Sequence, residues 1–274
     1  MSTTFDAARF GRLWRAHWAE RAKSYLWFFG VCIIVYLIMV LLAFSTVGHD
    51  AFQHEAQMIC FYIGLFVTGA IFAARHFEGL SHKEAALLTL MRPASVFEKI
   101  LLAFVMVVVF YPLMYTLIYA VCNFPMVKIA QAMAIESARL NPEFNRYDAQ
   151  DYTLFVPFFS QGDTVDAQNM NHFRIAQGLL MLAWVSIMAF CVGASIYFKR
   201  LPILKTVVAG FVLFIAYGIF LAVTGSSPSS LLEHWFTDDN PSVWKTAAVI
   251  AFWLGTPLLL WVTAFFHLKE REVA

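Results

Sequence analysis

The sequence predicts an all-α, polytopic membrane protein with six transmembrane helices, preceded by an interfacial amphipathic helix, and with both termini in the cytoplasm. Two observations predict this class. Hydrophobic residues make up 61% of the 274 residues and charged residues only 14%, against about 25% charged in ordinary soluble domains. The hydrophobic residues also gather in runs of about 20, the length that crosses a hydrocarbon core of about 30 Å as a helix.

Six apolar runs form a predicted transmembrane domain over residues 26–274. They are Leu26–Ser45, Ala56–Ala74, Ile100–Cys122, Ile175–Phe198, Thr206–Thr224 and Thr246–Phe266, and none contains Asp, Glu, Lys, Arg or His. A charge at the bilayer centre costs at least ~2.5 kcal/mol on insertion scales, so the charges that are retained usually mark an ion or proton path. Their absence argues against a proton-driven antiporter, a voltage sensor or an ion pump.

The basic residues predict the orientation of the spans. Fourteen of the 19 Lys and Arg residues fall before the first span, after the last span, or in the two loops on that same side of the membrane. The long loops on the other side, residues 123–174 and 225–245, hold the remaining five. Because cytoplasmic segments carry the excess of Lys and Arg, both termini are predicted to be cytoplasmic.

Residues 1–25 have the pattern of an amphipathic helix that lies in the membrane interface. Trp14 and Trp18 fall at helical spacing with Phe10 and Leu13, and arginines occupy the remaining face. A basic helix with tryptophan on its apolar side suits the headgroup region. We therefore expect Trp14 and Trp18 to be interfacial anchors that contact the lipid bilayer. The alternative is a basic tail that only sets orientation.

The polar segment of residues 75–99 separates the second and third spans. It holds four Lys or Arg and three Glu residues, and Ser81 with Glu84 has the spacing of a capping box. A short helix is therefore predicted to begin there and to end before Pro93, because the residue before proline is driven out of the helical region. Such a helix at the cytoplasmic mouth could act as a lever; the alternative is a plain connecting loop.

A second capping box is predicted at Ser95, with Glu98 three residues later. This pair would begin the helix of the third span. The charged side chains of the segment, Glu98 and Lys99 among them, are expected to face water.

Two elements are predicted in the outer segment 123–174. An amphipathic helix that ends at Asn141–Pro142 is indicated by Met126, Ile129, Ala130, Met133 and Leu140. An extended piece packed over the helices is indicated by the aromatic run of residues 152–159.

The spans also carry signals for close packing and for kinks. Small residues four apart let helices approach closely, and they occur at Gly69/Ala73, Ala70/Ala74 and Ala189/Gly193. Pro112 and Pro257 lie within the third and sixth spans, where each removes a backbone hydrogen bond and favours a kink.

Motifs for catalysis or for a cofactor are absent from the sequence. There is no GxxxxGK[ST] loop for nucleotide phosphates, no HExxH and no GxSxG. The four cysteines lie in or beside apolar runs without paired spacing, as small apolar side chains do. We therefore expect no enzymatic activity, no cofactor or metal on this chain, and no nucleic-acid partner.

The architecture resembles that of an ABC transporter permease of the ABC-2 (exporter) type. Such permeases have an interfacial N-terminal helix, six spans with both ends inside, and a cytoplasmic helix between spans two and three. The segment LLTLMRPASVFEKILLAF (residues 87–104) is similar to the Leu-Pro-Ala/Ser-…-Glu-Lys stretch that these permeases carry before their third span.

The resemblance implies a function and several partners. Residues 80–92 would form a coupling helix that docks on a separate ATP-binding cassette subunit, which would bind the ATP. The contacts to that subunit would come from Glu78, Leu80, Lys83, Glu84, Leu87, Leu88 and Arg92. A second permease copy or a paralogue would complete a dimer, and the family analogy places the complex in the bacterial inner (plasma) membrane. The long outer loop of residues 123–174 exceeds what a minimal permease needs.

Two other functions compete with the permease. One is a membrane scaffold or accessory subunit without transport activity, whose cytoplasmic segment recruits a partner. The other is an intramembrane enzyme acting on lipid, which would need clustered polar groups at membrane depth.

Overall fold

The computed structural model describes residues 5–47, 54–77, 91, 93–140, 152–157, 167–198, 202–224 and 243–273. Its helices are α1 (Ala7–Val47), α2 (His54–His76), α3 (Val96–Phe104), a π-helical segment (Val105–Phe110), α4 (Tyr111–Leu140), α5 (Ala167–Tyr197), α6 (Pro202–Thr224) and α7 (Val243–Val273). No strand occurs in these ranges. The predicted all-α class is confirmed.

Five helical stretches are long and apolar enough to cross a membrane. They are α1, α2, α5, α7 and the continuous helix that comprises α3, the π-helical segment and α4. Many of the exposed side chains on these helices are large and apolar, Leu26 and Trp27 among them. The chain is therefore an integral membrane protein. Helix α6 covers the fifth predicted span, and the count of six spans stays a prediction.

Helix α1 shows no break at the predicted boundary between residues 25 and 26. It continues for 41 residues, which at 1.5 Å per residue is about 60 Å, or twice the hydrocarbon core. No proline occurs before Pro93 in the sequence, so nothing at this boundary stops a helix. The predicted interfacial helix and the first span are thus one continuous helix.

A second long helix joins the predicted third span to the predicted outer helix. It runs without interruption over Val96–Leu140, 45 residues, with Pro125 inside it. Its end at Leu140 agrees with the predicted stop at Asn141–Pro142. Of the residues that predicted an amphipathic helix here, Ala130 is buried, whereas Ile129, Met133 and Leu140 are exposed; the amphipathic character of the stretch stays a prediction. The residues that pack inward here are Val127, Ala130 and Ala134.

The π-helical segment ends two residues before Pro112, the site of one predicted kink. At its end the Tyr111 amide donates to the carbonyl oxygen of Met106, five residues back. A proline ring collides with the carbonyl four residues earlier in a regular α-helix, and the wider π turn is a local adjustment next to that position. Pro257 lies inside α7, and the bend at either proline stays a prediction.

The chain divides into two compact units. The N-terminal unit comprises Asp6–Gly69 and Phe104–Gly178, and the C-terminal unit comprises Met1–Phe5, Ala70–Ala103 and Leu179–Ala274.

In the N-terminal unit, α1 and α4 run in the same direction. Near their beginnings Phe28 contacts Tyr111, and towards their ends Val40 packs with Val127. Helix α2 runs the opposite way, because its early residue Gln57 bonds to Asn123 while its later Thr68 bonds to Tyr111. These relative directions are the ones that the predicted topology requires for the first three spans.

In the C-terminal unit, α5 and α7 also run in the same direction. Gly193 faces the Cβ of Ala264, and four residues later in α5 the ring of Tyr197 contacts that of His267. The Arg271 guanidinium then donates to the Tyr197 carbonyl oxygen at 3.3 Å. The predicted topology likewise requires the fourth and sixth spans to run in the same direction.

Candidate functional site: a polar cluster and its strap

The predicted contacts to an ATP-binding subunit fall outside the residues that the structure describes. They are Glu78, Leu80, Lys83, Glu84, Leu87, Leu88 and Arg92. Their part in coupling stays a prediction.

The capping box at the start of α3 is confirmed. The Ser95 amide donates to Glu98 Oε2 at 3.0 Å, and the Glu98 amide donates to Ser95 Oγ at 3.3 Å. The expected exposure of Glu98 and Lys99 is wrong, since the two side chains are 0% and 5% exposed. The Glu98 carboxylate turns back to the helix N-terminus instead of facing water, which fixes where the third helix begins.

The predicted anchors Trp14 and Trp18 contact other aromatic rings. Trp18 lies edge-on to Phe110, with ring centroids 5.0 Å apart, and it also contacts Trp14 and Tyr25. Trp18 therefore packs partly against protein, at the level of the π-helical segment. The depth of both tryptophans in the bilayer stays a prediction.

The most developed polar arrangement in the described part of the chain connects α1, α2 and α4. We call it the polar cluster: Tyr36, Gln57, Tyr119 and Asn123. The Asn123 amide group donates to Gln57 Oε1 at 2.7 Å and to the Tyr119 hydroxyl at 3.0 Å, and its Oδ1 accepts from the Tyr36 hydroxyl at 2.5 Å. Asn123 thereby joins all three helices through one side chain.

A row of tyrosines on α4 extends the cluster along the helix. Tyr111, Tyr115 and Tyr119 recur every fourth residue before Asn123, so they lie on one face. The Tyr115 hydroxyl donates to the Phe61 carbonyl oxygen at 3.1 Å, and the Tyr111 hydroxyl lies 2.6 Å from Thr68 Oγ1. The buried face of α4 is thus tied to α2 by hydroxyl groups.

The close approach of Tyr115 requires a glycine on α2. A Cβ atom built at Gly64 would collide with the Tyr115 hydroxyl. Gly64 is therefore the position at which the row of tyrosines reaches the backbone of α2.

A short non-helical segment covers the end of the polar cluster. We call residues 152–157 the strap. The Gln57 side chain bonds to the strap twice: its Nε2 donates to the Thr153 carbonyl oxygen at 2.9 Å, and its Oε1 accepts from the Phe155 amide at 3.0 Å. Gln131 on α4 donates to the Tyr152 carbonyl oxygen at 2.7 Å. The strap lies within the predicted extended piece, and its residues 152–156 belong to no helix. Their extended conformation stays a prediction, and residues 158 and 159 lie outside the described ranges.

The cluster is a site for hydrogen bonding without charge. Its groups are amides and hydroxyls, which both donate and accept, and no carboxylate, amine or imidazole belongs to it. Among the described residues there is also no group of three His, Cys, Asp or Glu side chains that could hold a metal ion. The arrangement can therefore recognise neutral polar groups such as the peptide bond.

Charged residues in the spans do not reveal the polar cluster, because all four of its side chains are uncharged. Gln57 lies inside the second apolar run and Asn123 directly after the third. The four-residue repeat from Tyr111 to Asn123 is visible in the sequence, and it could have indicated a polar face on that helix. That the strap meets Gln57, about a hundred residues earlier in the chain, had no sequence signal.

Comparison of the chain with protein-family models, with characterised proteins and with solved structures finds no match.

Proposed function

We propose that this chain is the membrane-spanning permease subunit of an exporter of the ABC type, and that it moves cargo by conformational coupling to a separate ATP-binding subunit. The proposed complex contains two permease chains in a bacterial inner membrane, each with six spans and cytoplasmic termini. The residues proposed to contact the ATP-binding subunit are Glu78, Leu80, Lys83, Glu84, Leu87, Leu88 and Arg92.

One observation supports the proposal most directly. The helix that follows the coupling segment begins at the Ser95–Glu98 capping box and continues as far as Leu140, passing Asn123 of the polar cluster on the way. A displacement of the segment would therefore act on the first turn of a helix that continues to Leu140. Packed helices transmit such displacements because they are not continuously deformable.

A membrane scaffold would have the same membrane helices, but it would not need a helix that connects the coupling segment to the polar cluster. A scaffold needs only a surface that recruits its partner. The two functions therefore differ in whether partner binding is coupled to ATP hydrolysis.

The experiment is to replace the proposed apolar anchors of the coupling helix, Leu87→Ala with Leu88→Ala. A helix seated in a groove is held by its buried apolar residues, and truncating such an anchor commonly costs more than ~2 kcal/mol, which is about thirtyfold in affinity. We expect the double variant to lose the ATP-binding subunit in a pull-down and to lose cargo-stimulated ATP hydrolysis.

The matched control is Lys83→Ala, a charge at the rim of the same helix, which should change both readouts little. Both variants should insert at wild-type levels, because the coupling helix lies outside the bilayer. Wild-type pull-down and wild-type ATPase rates in the double variant would reject the coupling role. If the wild-type chain binds the ATP-binding subunit in the pull-down but cargo does not stimulate ATP hydrolysis, the scaffold function is favoured.

A further inference from the structure

We propose that the polar cluster and the surface around it form a binding site for an extended peptide that carries aromatic side chains, and that the strap is its built-in occupant. The role of this site in transport rests on the proposed function, for which it names the class of cargo. Binding itself does not depend on that function.

The first support is the way in which Gln57 holds the strap. One side-chain amide accepts from the backbone N–H of Phe155 and donates to the backbone C=O of Thr153, two residues earlier. Both bonds go to main-chain atoms, which every peptide presents. Recognition through main-chain hydrogen bonds, with pockets for selected side chains, is a general mode of binding extended peptides. Gln57 would hold an extended segment of another peptide by the same two bonds.

The second support is the burial of the strap's side chains. Tyr152 is 0% exposed and Phe155 is 1% exposed, whereas Thr153 and Val156 are exposed. Tyr152 packs with apolar residues of α1 and α4, and Phe155 packs against the rings of Phe61 and His54. The surface thus offers two aromatic pockets three residues apart, with Gln57 bonded to the backbone between them.

The third support is a buried hydroxyl beside the Phe155 pocket. The ring of Tyr62 contacts that of Phe155 with centroids 6.3 Å apart, and Tyr62 is only 8% exposed. Its hydroxyl is buried and has no hydrogen-bond partner in the described part of the chain. A buried hydroxyl without a partner is unfavourable. A peptide with a hydrogen-bond acceptor at this position would satisfy it, which the strap does not do.

A tethered occupant competes with any peptide that comes from outside. Because the strap belongs to the same chain, its effective concentration at the site is high, and an external peptide must displace it. Weakening the strap without altering the pockets should therefore expose the site. The two aromatic side chains of the strap can be removed for this purpose, because they fill the pockets but do not line them.

The experiment measures binding of a fluorescent synthetic peptide with the sequence of residues 151–157 to the full-length permease in lipid nanodiscs, by anisotropy and without any ATP-binding subunit. The variant Tyr152→Ala with Phe155→Ala should bind the peptide at least about tenfold more tightly than the wild-type chain. Adding Gln57→Leu to that variant should remove the gain, because both main-chain hydrogen bonds are lost. The matched control, Thr153→Ala with Val156→Ala, changes exposed strap side chains and should bind as wild type does.

Equal binding by the wild-type chain and the weakened-strap variant would overturn the proposal, as would equal binding of a peptide whose Tyr and Phe are replaced by Ser. A second measurement covers the case in which the weakened strap prevents folding. A peptide with a photoreactive benzoyl group at its Phe position should crosslink to residues 54–62 of the wild-type chain, and crosslinks only elsewhere would also overturn the proposal. The pull-down with Leu87→Ala and Leu88→Ala uses no peptide, so the two proposals can fail separately.

Discussion

The two units hold their helices together by different means. In the N-terminal unit, α1, α2 and α4 are joined by large side chains whose amide and hydroxyl groups bond to one another, with Asn123 at the centre. In the C-terminal unit, Gly193 of α5 faces Ala264 of α7, so a small side chain permits the approach there, and further along the Arg271 guanidinium of α7 donates to the Tyr197 carbonyl oxygen of α5. Both are recognised solutions in a bilayer, where apolar surface gives helices no preference for each other over lipid.

The difference has a consequence for tolerance to mutation. A polar network requires every partner, because a donor left alone in a low-dielectric interior is unfavourable. A contact between small residues requires only that the added volume fits. Substitutions of similar size should therefore have unequal effects in the two units.

The largest effect is expected for Asn123→Leu. It removes the hydrogen bonds to Tyr36, Gln57 and Tyr119 and places an apolar group among their polar atoms. At roughly 0.6–2 kcal/mol for each of three hydrogen bonds inside a membrane protein, the free energy of unfolding should fall by about 2–6 kcal/mol. The measurement is unfolding by SDS in mixed micelles, followed by tryptophan fluorescence. Val121→Ala, an exposed position on the same helix, is the control and should change little. A loss no larger than the control's would mean that the cluster does not hold the three helices.

A smaller loss is expected for Gly64→Ala in the same unit. The new methyl group would collide with the Tyr115 hydroxyl, and moving that hydroxyl would break its bond to the Phe61 carbonyl. The free energy of unfolding should fall by about 1–3 kcal/mol. The variant Tyr115→Phe lacks the hydroxyl that collides. In that background Gly64→Ala should lower the free energy of unfolding by less than half as much, and a double-mutant cycle measures the difference.

Gly178→Ala serves as the control, because a Cβ at that position would meet nothing within 4 Å. If Gly64→Ala lowers the free energy of unfolding equally with and without the Tyr115 hydroxyl, the collision with that hydroxyl is not the cause.

The smallest effect is expected for Gly193→Ala in the C-terminal unit. Here the new Cβ would lie 3.8 Å from the Cβ of Ala264, an ordinary van der Waals distance. Alanine also favours the helix and restricts the unfolded chain, so we expect a change of at most about 1 kcal/mol in the stabilising direction. The same SDS titration, run beside Gly64→Ala, measures it. A loss as large as that of Gly64→Ala would remove the distinction between the units.

Local patterns predicted the helices well and their connections poorly. Apolar run length located the membrane-crossing helices, and the Ser95–Glu98 spacing located the start of α3, because both depend on neighbouring residues alone. The breaks expected after residue 25 and after Cys122 do not exist, since hydropathy marks where a helix leaves the lipid and not where it ends. The bonds from Gln57 to the strap arise from packing between segments that are far apart in the chain. A single sequence carries no periodicity for such contacts.

The π-helical segment has a consequence for how the sequence of this helix can change in length. An α-helix advances about 100° for each residue, so a single inserted residue would normally rotate every later side chain away from its partner. A π turn absorbs one extra residue within a helix, and here it stands immediately before the tyrosines of α4. Residues 105–110 therefore keep the side chains of the face from Tyr111 to Val127 directed towards α1 and α2. Loss of one residue from this stretch would restore a regular α-helix and leave that face towards α1 and α2, because the π turn already holds the extra residue.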